Sequence, residues 1–253
     1  MTEQLGLFES RRDLSPADLA RAPLSIRESR RARYLTLRLL PPHTLELVVP
    51  RGTRAADVDA FVRENRRWIE KARRELAECR PLRSEGLPVT VDLRAIGQRW
   101  NVEYRHDPHG PVRCRVHDSV LEVSTPDALR RGAGGALRSW LLDEADYHLT
   151  PWLKREAQVV GHRPAKVQVR LQRTRWGSCS NSGTVSLNAA LLFLEPAVVR
   201  YLFVHELCHL IALNHSRKFW SAVARHEPDY EVLDRQLTKA WHEIPLWAHP
   251  EAR

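Results

Sequence analysis

His205-Glu206-Leu207-Cys208-His209-Leu210-Ile211-Ala212-Leu213-Asn214-His215 decides how the rest of the chain is read. Residues four apart lie on one face of an α-helix, so the imidazoles of His205 and His209 can grip one zinc ion while Glu206 sits beside the open coordination position. His215, returning after the helix ends, supplies a third nitrogen and leaves one place for water. Zinc held by three neutral imidazoles keeps its full double charge, lowers the pKa of a bound water and polarises a carbonyl. Glu206 is then placed to take the water proton and pass it to a leaving nitrogen. Two surface histidines that bind nothing would need neither the glutamate nor the third histidine. Cys179 and Cys208 are soft metal ligands by type, but Cys208 lies off the common face of the two histidines.

The whole chain sets the bounds on this reading. Its 253 residues suffice for one large domain or two small ones. The apolar run at 189–194 stops at Glu195, too short to span a membrane. Residues 1–8 lack the basic start and apolar stretch of a secretory signal, and the four cysteines (Cys79, Cys114, Cys179, Cys208) form no CxxC pair. A reducing cytoplasm is the expected compartment. The 40 Lys and Arg against 31 Asp and Glu give a net charge of +9, which suits a polyanionic partner such as DNA without requiring one.

Residues 1–24 read as a charged arm. Within it, Gln4-Leu5-Gly6-Leu7-Phe8 resembles the short linear motif that docks bacterial proteins on the replication sliding clamp, with Gln4, Leu5, Leu7 and Phe8 filling pockets; a tail packing on its own domain fits the same residues. Region 25–125 reads as β-rich with one basic helix. Alternation at 33–39 and 45–49 predicts a hairpin, and Val58, Phe61, Val62, Ile69, Ala72 and Leu76 predict a helix over 53–79 capped by Thr53. Its other face carries Arg63, Arg66, Arg67, Lys71, Arg73 and Arg74, a candidate nucleic-acid surface, although Glu64, Glu70 and Glu75 are interleaved as on an ordinary solvated face. A linker is expected at 80–88 and strands at 89–93, 100–104, 112–116 and 120–123.

Region 126–253 reads as the catalytic half. Thr125-Pro126-Asp127 predicts the start of a long helix, kinked or broken at Pro151 and ended by Gly161. Alternation at 166–172 and 184–188 predicts a hairpin whose edge could pair with an extended peptide. Glu195-Pro196 should open the metal helix, Asn214 should end it in left-handed conformation, and Ser216 should cap the next helix, with Phe219, Trp220 and Val223 inward. A last helix is expected over 230–241. The fold class is α+β, with a zincin-like half of helices and an antiparallel hairpin behind the β-rich N-terminal region.

Arg175-Trp176-Gly177-Ser178-Cys179, Leu187-Asn188, the motif itself, Asn214-His215-Ser216 and Phe219-Trp220 together resemble the YgjP-like metal-dependent hydrolases, relatives of the SprT-like zinc metallopeptidases. Val49-Pro50 and Trp68-Ile69 extend the likeness over about residues 26–243. The resemblance implies a zincin fold for the second half, His205, His209 and His215 as ligands of one zinc, and Glu206 as the base; it does not settle the substrate, and the leading reading, an intracellular zinc metallopeptidase, takes a protein or peptide. The ligand spacing also matches metzincins, but position 212 is Ala where they need Gly, and Met1 is the sole methionine, so no Met-turn can underlie the metal.

An oxyanion stabiliser is needed as well, and Tyr230, His226 and Arg175 are the nearby donors. A narrower version of the peptidase reading adds recruitment to DNA. The rival is a nucleic-acid-binding or adaptor protein with a structural zinc, which Glu206 argues against because such a site closes with a fourth protein ligand. Hydrolysis of a non-peptide amide or of a nucleic acid is a third reading, and phosphoryl displacement usually needs paired metals.

Overall fold

Residues 24–40, 44–78 and 86–250 are described in the computed structural model, and the chain divides into two units, Met1–Arg80 and Pro81–Arg253. The clamp-like Gln4, Leu5, Leu7 and Phe8 lie outside the described residues, as do Cys79 and the start of the expected linker.

In the first unit the predicted hairpin forms: β2 (Thr36–Leu40) and β3 (Thr44–Pro50) run antiparallel with Leu37 opposite Leu47. A further strand, β1 (Leu24–Ser29), lies parallel to β3 on its other side. The helix expected over 53–79 is two, α1 (Ala55–Glu64) and α2 (Arg66–Glu78). Asn65 makes the break, because its side-chain amide and its backbone N–H both bond to the carbonyl of Phe61 (2.8 and 3.1 Å). Thr53 does not cap α1; its hydroxyl donates to the Pro50 carbonyl at 2.8 Å, and Arg54 holds the N-cap position. Leu45, Ile69 and Ala72 form the core of this unit, with Leu24, Leu37 and Val62 packed against it.

The second unit is built on α3 (Ala133–Val160), whose buried Leu137, Trp140, Leu141, Ala145, Leu149, Leu153, Ala157 and Val160 recur every three or four residues along one stripe. Pro151 neither ends nor splits it. The hydrogen bond lost there would have gone to Tyr147, on the solvent side of the helix, so the deficit falls where water can make it good. Gly161 closes the helix at φ 81°, as expected. Its start is later than Thr125-Pro126-Asp127 suggested: Thr125 ends a strand, Asp127 folds a turn by accepting from the N–H of Leu129 (2.9 Å), and Gly132 at φ 84° begins the helix.

One face of α3 receives a four-stranded sheet of β4 (Thr90–Leu93), β5 (Gln98–His106), β6 (Arg113–His117) and β7 (Val120–Thr125), in the order β4-β5-β7-β6. Val91, Leu93, Trp100, Val102, Leu121 and Val123 from this sheet share one apolar cluster with α3 and everything after it. The chain therefore divides at 80/81, rather than at the 125/126 boundary that the runs of strands and helices suggested, because these strands have their core with the C-terminal helices.

A second, three-stranded sheet carries β8 (Lys166–Arg170), β9 (Gly177–Cys179) and β10 (Thr184–Asn188) in the order β8-β10-β9. The expected hairpin of 166–172 with 184–188 is corrected here: β8 runs parallel to β10, and the antiparallel partner of β10 is the short β9. Three helices follow, α4 (Pro196–Cys208), α5 (Arg217–His226) and α6 (Tyr230–Lys239). Among the described residues no helix is long and apolar enough to cross a membrane.

Candidate functional site

α4 opens at Glu195-Pro196, with proline at the first helical position where its missing N–H costs nothing. Val198, Val199, Leu202, Phe203, Val204 and Leu207 bury it on nearly all sides, so the polar Tyr201, His205 and Glu206 are held in a fixed frame. The helix ends at Cys208, and His209 is its C-cap. This corrects the expectation that Asn214 ends it in left-handed conformation: among the described residues the non-glycine positive φ angles are those of Asp118 and Arg130. The chain turns back through bonds from the N–H groups of Leu210, Ile211 and Ala212 to the carbonyls of Leu207 and Cys208 (3.0–3.1 Å). Ser216 holds the N-cap position of α5 in extended conformation but makes no side-chain cap.

That turn brings His215 onto the pair. The rings of His205, His209 and His215 lie 4.8–5.1 Å apart by centroid, and one ring nitrogen from each falls within 4.8 Å of the others. The Nε2 atoms of His205 and His215 are 3.2 Å apart. Two nitrogens each about 2.0–2.1 Å from one tetrahedral zinc are about 3.3 Å apart. Phe219, fully buried, stacks on His209 at 4.4 Å and meets the other two rings edge-on, which holds all three in place. Trp220 stacks on His215 and Tyr230 stacks on Trp220, extending the ring wall outward.

The electrostatics favour a metal. Burial, reinforced by the neighbouring imidazoles, pushes the pKa of His205 down to about 3, and burial lowers that of His209. Both are neutral at neutral pH, the form a metal requires. His209 Nδ1 donates to the carbonyl of Ala212 at 3.2 Å, which leaves the lone pair on Nε2. Glu206 is only 4% exposed; burial pushes its carboxyl up to about 8, against the opposing charge of Arg175. Its Oε2 has no hydrogen-bond partner among the described residues. An orphaned buried carboxyl oxygen on the same helix as His205, with three imidazole nitrogens converging, fits zinc with an open position and a base next to it.

β9 explains why Glu206 can sit there. A Cβ at Gly177 would lie 2.6 Å from Glu206 Oε1 and 2.9 Å from its Cγ, so only glycine lets the strand pass the carboxylate. The loop leading into β9 is tied down by the fully buried Asn188. Its side chain donates to the carbonyls of Gln172 (3.0 Å) and Arg175 (2.9 Å) and accepts from the N–H of Ala190 (3.1 Å). Asn188→Ala leaves these groups without partners and is expected to cost about 2–4 kcal/mol in denaturant unfolding.

Of the proposed substrate contacts, Arg175 is exposed yet near enough to bias Glu206, and Tyr230 stands in the ring wall with its hydroxyl donating to Glu231 (3.3 Å). His226 is engaged through its main-chain carbonyl, which accepts from Arg200 (3.3 Å), and the structure does not bring its ring into the histidine cluster. Arg63, Arg66, Arg67, Lys71 and Arg74 are exposed on α1 and α2 of the first unit, where Arg66 pairs with Glu70 at 2.8 Å. Sequence reasoning passes over Tyr201, Asp234 and the spatial need for Gly177. Tyr201 does carry a signal, since it lies four residues before His205 on the same helix face.

The profile of a family described as "YgjP-like, metallopeptidase domain" matches residues 33–240, more than four-fifths of the chain. Among solved structures the chain is similar to the metallopeptidase zymogen of Pyrococcus abyssi abylysin, at 31% identity over 40% of this chain and 93% of that one, with a TM-score of 0.30. No curated protein matches it. The chain belongs to the YgjP-like metallopeptidase domain family.

Proposed function

We propose that this chain is a zinc metallopeptidase in which His205, His209 and His215 hold one zinc ion and Glu206 is the general base. The observation that carries the reading is the convergence of three imidazole nitrogens beside a buried carboxylate whose Oε2 has no partner among the described residues. A zinc ion there would supply Lewis acidity, making an attacking water more acidic and a scissile carbonyl more electrophilic. With the double charge of a bound zinc favouring its ionised form over the protonated one that burial alone favours, Glu206 would accept the proton of that water and deliver it to the leaving amide nitrogen. β9 is an edge strand that passes directly against Glu206, so an extended peptide pairing with it would bring its backbone to the base. Arg175 and Tyr230 are the candidates for steadying the developing oxyanion.

The test is hydrolysis of an unstructured protein substrate by the purified chain, with metal content measured in parallel. One zinc per chain is expected, with cleavage abolished by a chelator and restored by zinc; cleavage that survives complete removal of metal contradicts the reading. The exposed arginines of α1 and α2 support a narrower version in which the substrates are DNA-associated proteins. DNA binding that weakens steeply with salt, and stimulation of cleavage by DNA, are the expected results of that version; no effect of DNA on either removes it. The sliding clamp is the partner proposed for residues 4–8, and deleting residues 1–10 should abolish clamp binding.

A further inference from the structure

Next to the histidine cluster, α4 and α6 meet through a chain of polar atoms that the mechanism above does not use. The hydroxyl of Tyr201 donates to Asp234 Oδ1 at 2.7 Å, and the same oxygen lies 3.4 Å from His205 Nδ1. A phenol has one proton, and the short bond to the carboxylate uses it. Toward His205 the phenol oxygen can therefore only accept, so Nδ1 must carry the ring proton and Nε2 the lone pair. Nε2 is the atom that faces His215, 3.2 Å away. Tyr201 is fully buried, and its ring meets that of His205 edge-on at 5.9 Å by centroid. The Ala212 carbonyl does the corresponding job for His209 from the main chain, whereas the group that fixes the hydroxyl behind His205 is borrowed from another helix.

We propose that Asp234 and Tyr201 are positioning residues: Asp234 fixes the direction of the Tyr201 hydroxyl, and Tyr201 thereby fixes the tautomer and aim of His205 toward zinc. The inference rests on the zinc reading given above. It makes the metal site dependent on the docking of α6 against α4, which is a consequence that the motif on α4 alone does not contain. Partners of this kind behind a ligating histidine typically contribute ten- to a hundredfold in metal affinity.

The test uses the full chain and measures zinc affinity by competition with a chromophoric chelator, together with the visible absorption of the cobalt(II)-substituted protein, for wild type, Tyr201→Phe, Asp234→Ala, Asp234→Asn and the Tyr201→Phe/Asp234→Ala double variant. Each of the first two single changes is expected to weaken zinc about ten- to a hundredfold and to alter the cobalt spectrum. Asp234→Asn, which keeps an acceptor oxygen, is expected to recover most of the loss seen in Asp234→Ala. Because the two groups act in series, the double variant is expected to be little worse than either single one. A mere tie between helices predicts something else: lower thermal stability of the metal-free protein, with zinc affinity and cobalt spectrum unchanged. Zinc affinities within twofold of a tightly binding wild type therefore overturn the inference and leave the zinc reading standing. A wild type that binds no zinc overturns both. If Tyr201→Phe does not fold, the contrast between Asp234→Ala and Asp234→Asn decides the question in the same way.

Discussion

Glu206→Gln is expected to bind one zinc per chain as tightly as the wild type and to hydrolyse peptide bonds about 10²- to 10⁴-fold more slowly. The amide fills the space of the carboxylate against Gly177 and leaves the three imidazoles untouched, but it cannot accept the water proton. The same substitution has a signature in the metal-free protein that is independent of catalysis. Burial raises the Glu206 pKa from 4.5 to about 8, so the folded state holds a proton that the unfolded state releases across that interval. The stability this group contributes is complete below about pH 4.5 and is lost as the pH rises through about 8. Glutamine has no such dependence. Metal-free Glu206→Gln should thus gain on the wild type as the pH is raised from 4.5 to 8, by on the order of a few kcal/mol at the upper end, measured by urea unfolding at several pH values. A stability difference that does not change with pH would show that the carboxyl is not buried in this way, and turnover near the wild-type rate would remove it from the mechanism.

Gly177→Ala is the second large effect expected, and it acts from outside the motif. The backbone of Gly177 does not lie at positive φ, so the reason for glycine is space rather than conformation. The added methyl would overlap the carboxylate of Glu206, at 2.6 Å from Oε1 and 3.0 Å from Cδ, and one of the two must move. β9 is held by its pairing to β10, with Gly177 opposite Leu187, and α4 is packed in the core, so the side chain of Glu206 is what gives way. A base displaced by about an ångström costs on the order of 100-fold in rate. The overpacking itself should cost about 1–3 kcal/mol. Zinc stoichiometry is expected to stay at one per chain, because no imidazole is touched. Activity within a few-fold of wild type would mean that Glu206 tolerates a different position, contrary to its assignment as base.

The legible parts of this protein are those written in local periodicity. His205 and His209 fall on one helix face because they are four apart; Pro196 and Gly161 mark helix ends by their own backbone chemistry; and the β2–β3 hairpin follows from alternation on either side of a short connection. What escapes is set by partners distant in sequence. Whether β8 pairs with β10 in parallel or antiparallel leaves no mark on either strand, and the loop between them happens to contain β9, which takes the antiparallel place. Asp234 carries no local signal of its link to His205, since its relevance exists only once α6 packs on α4. Pro151 misleads in the opposite direction, because the damage a proline does to a helix depends on which face it lies on. The division at 80/81 is hidden for a similar reason: strands β4–β7 look like part of a β-rich first half until their apolar face is seen to share a core with α3.

The coordination of the metal itself bears most directly on the proposed chemistry. X-ray absorption at the zinc edge of the purified chain should give three nitrogen neighbours at about 2.0–2.1 Å, with the multiple scattering of imidazole, and one oxygen in the remaining place. Replacing His215 by Ala should lower the nitrogen count by one. A sulfur neighbour at about 2.3 Å, from Cys179 or Cys208, or a fourth protein nitrogen would describe a closed structural site with no room for the attacking water, and would contradict it.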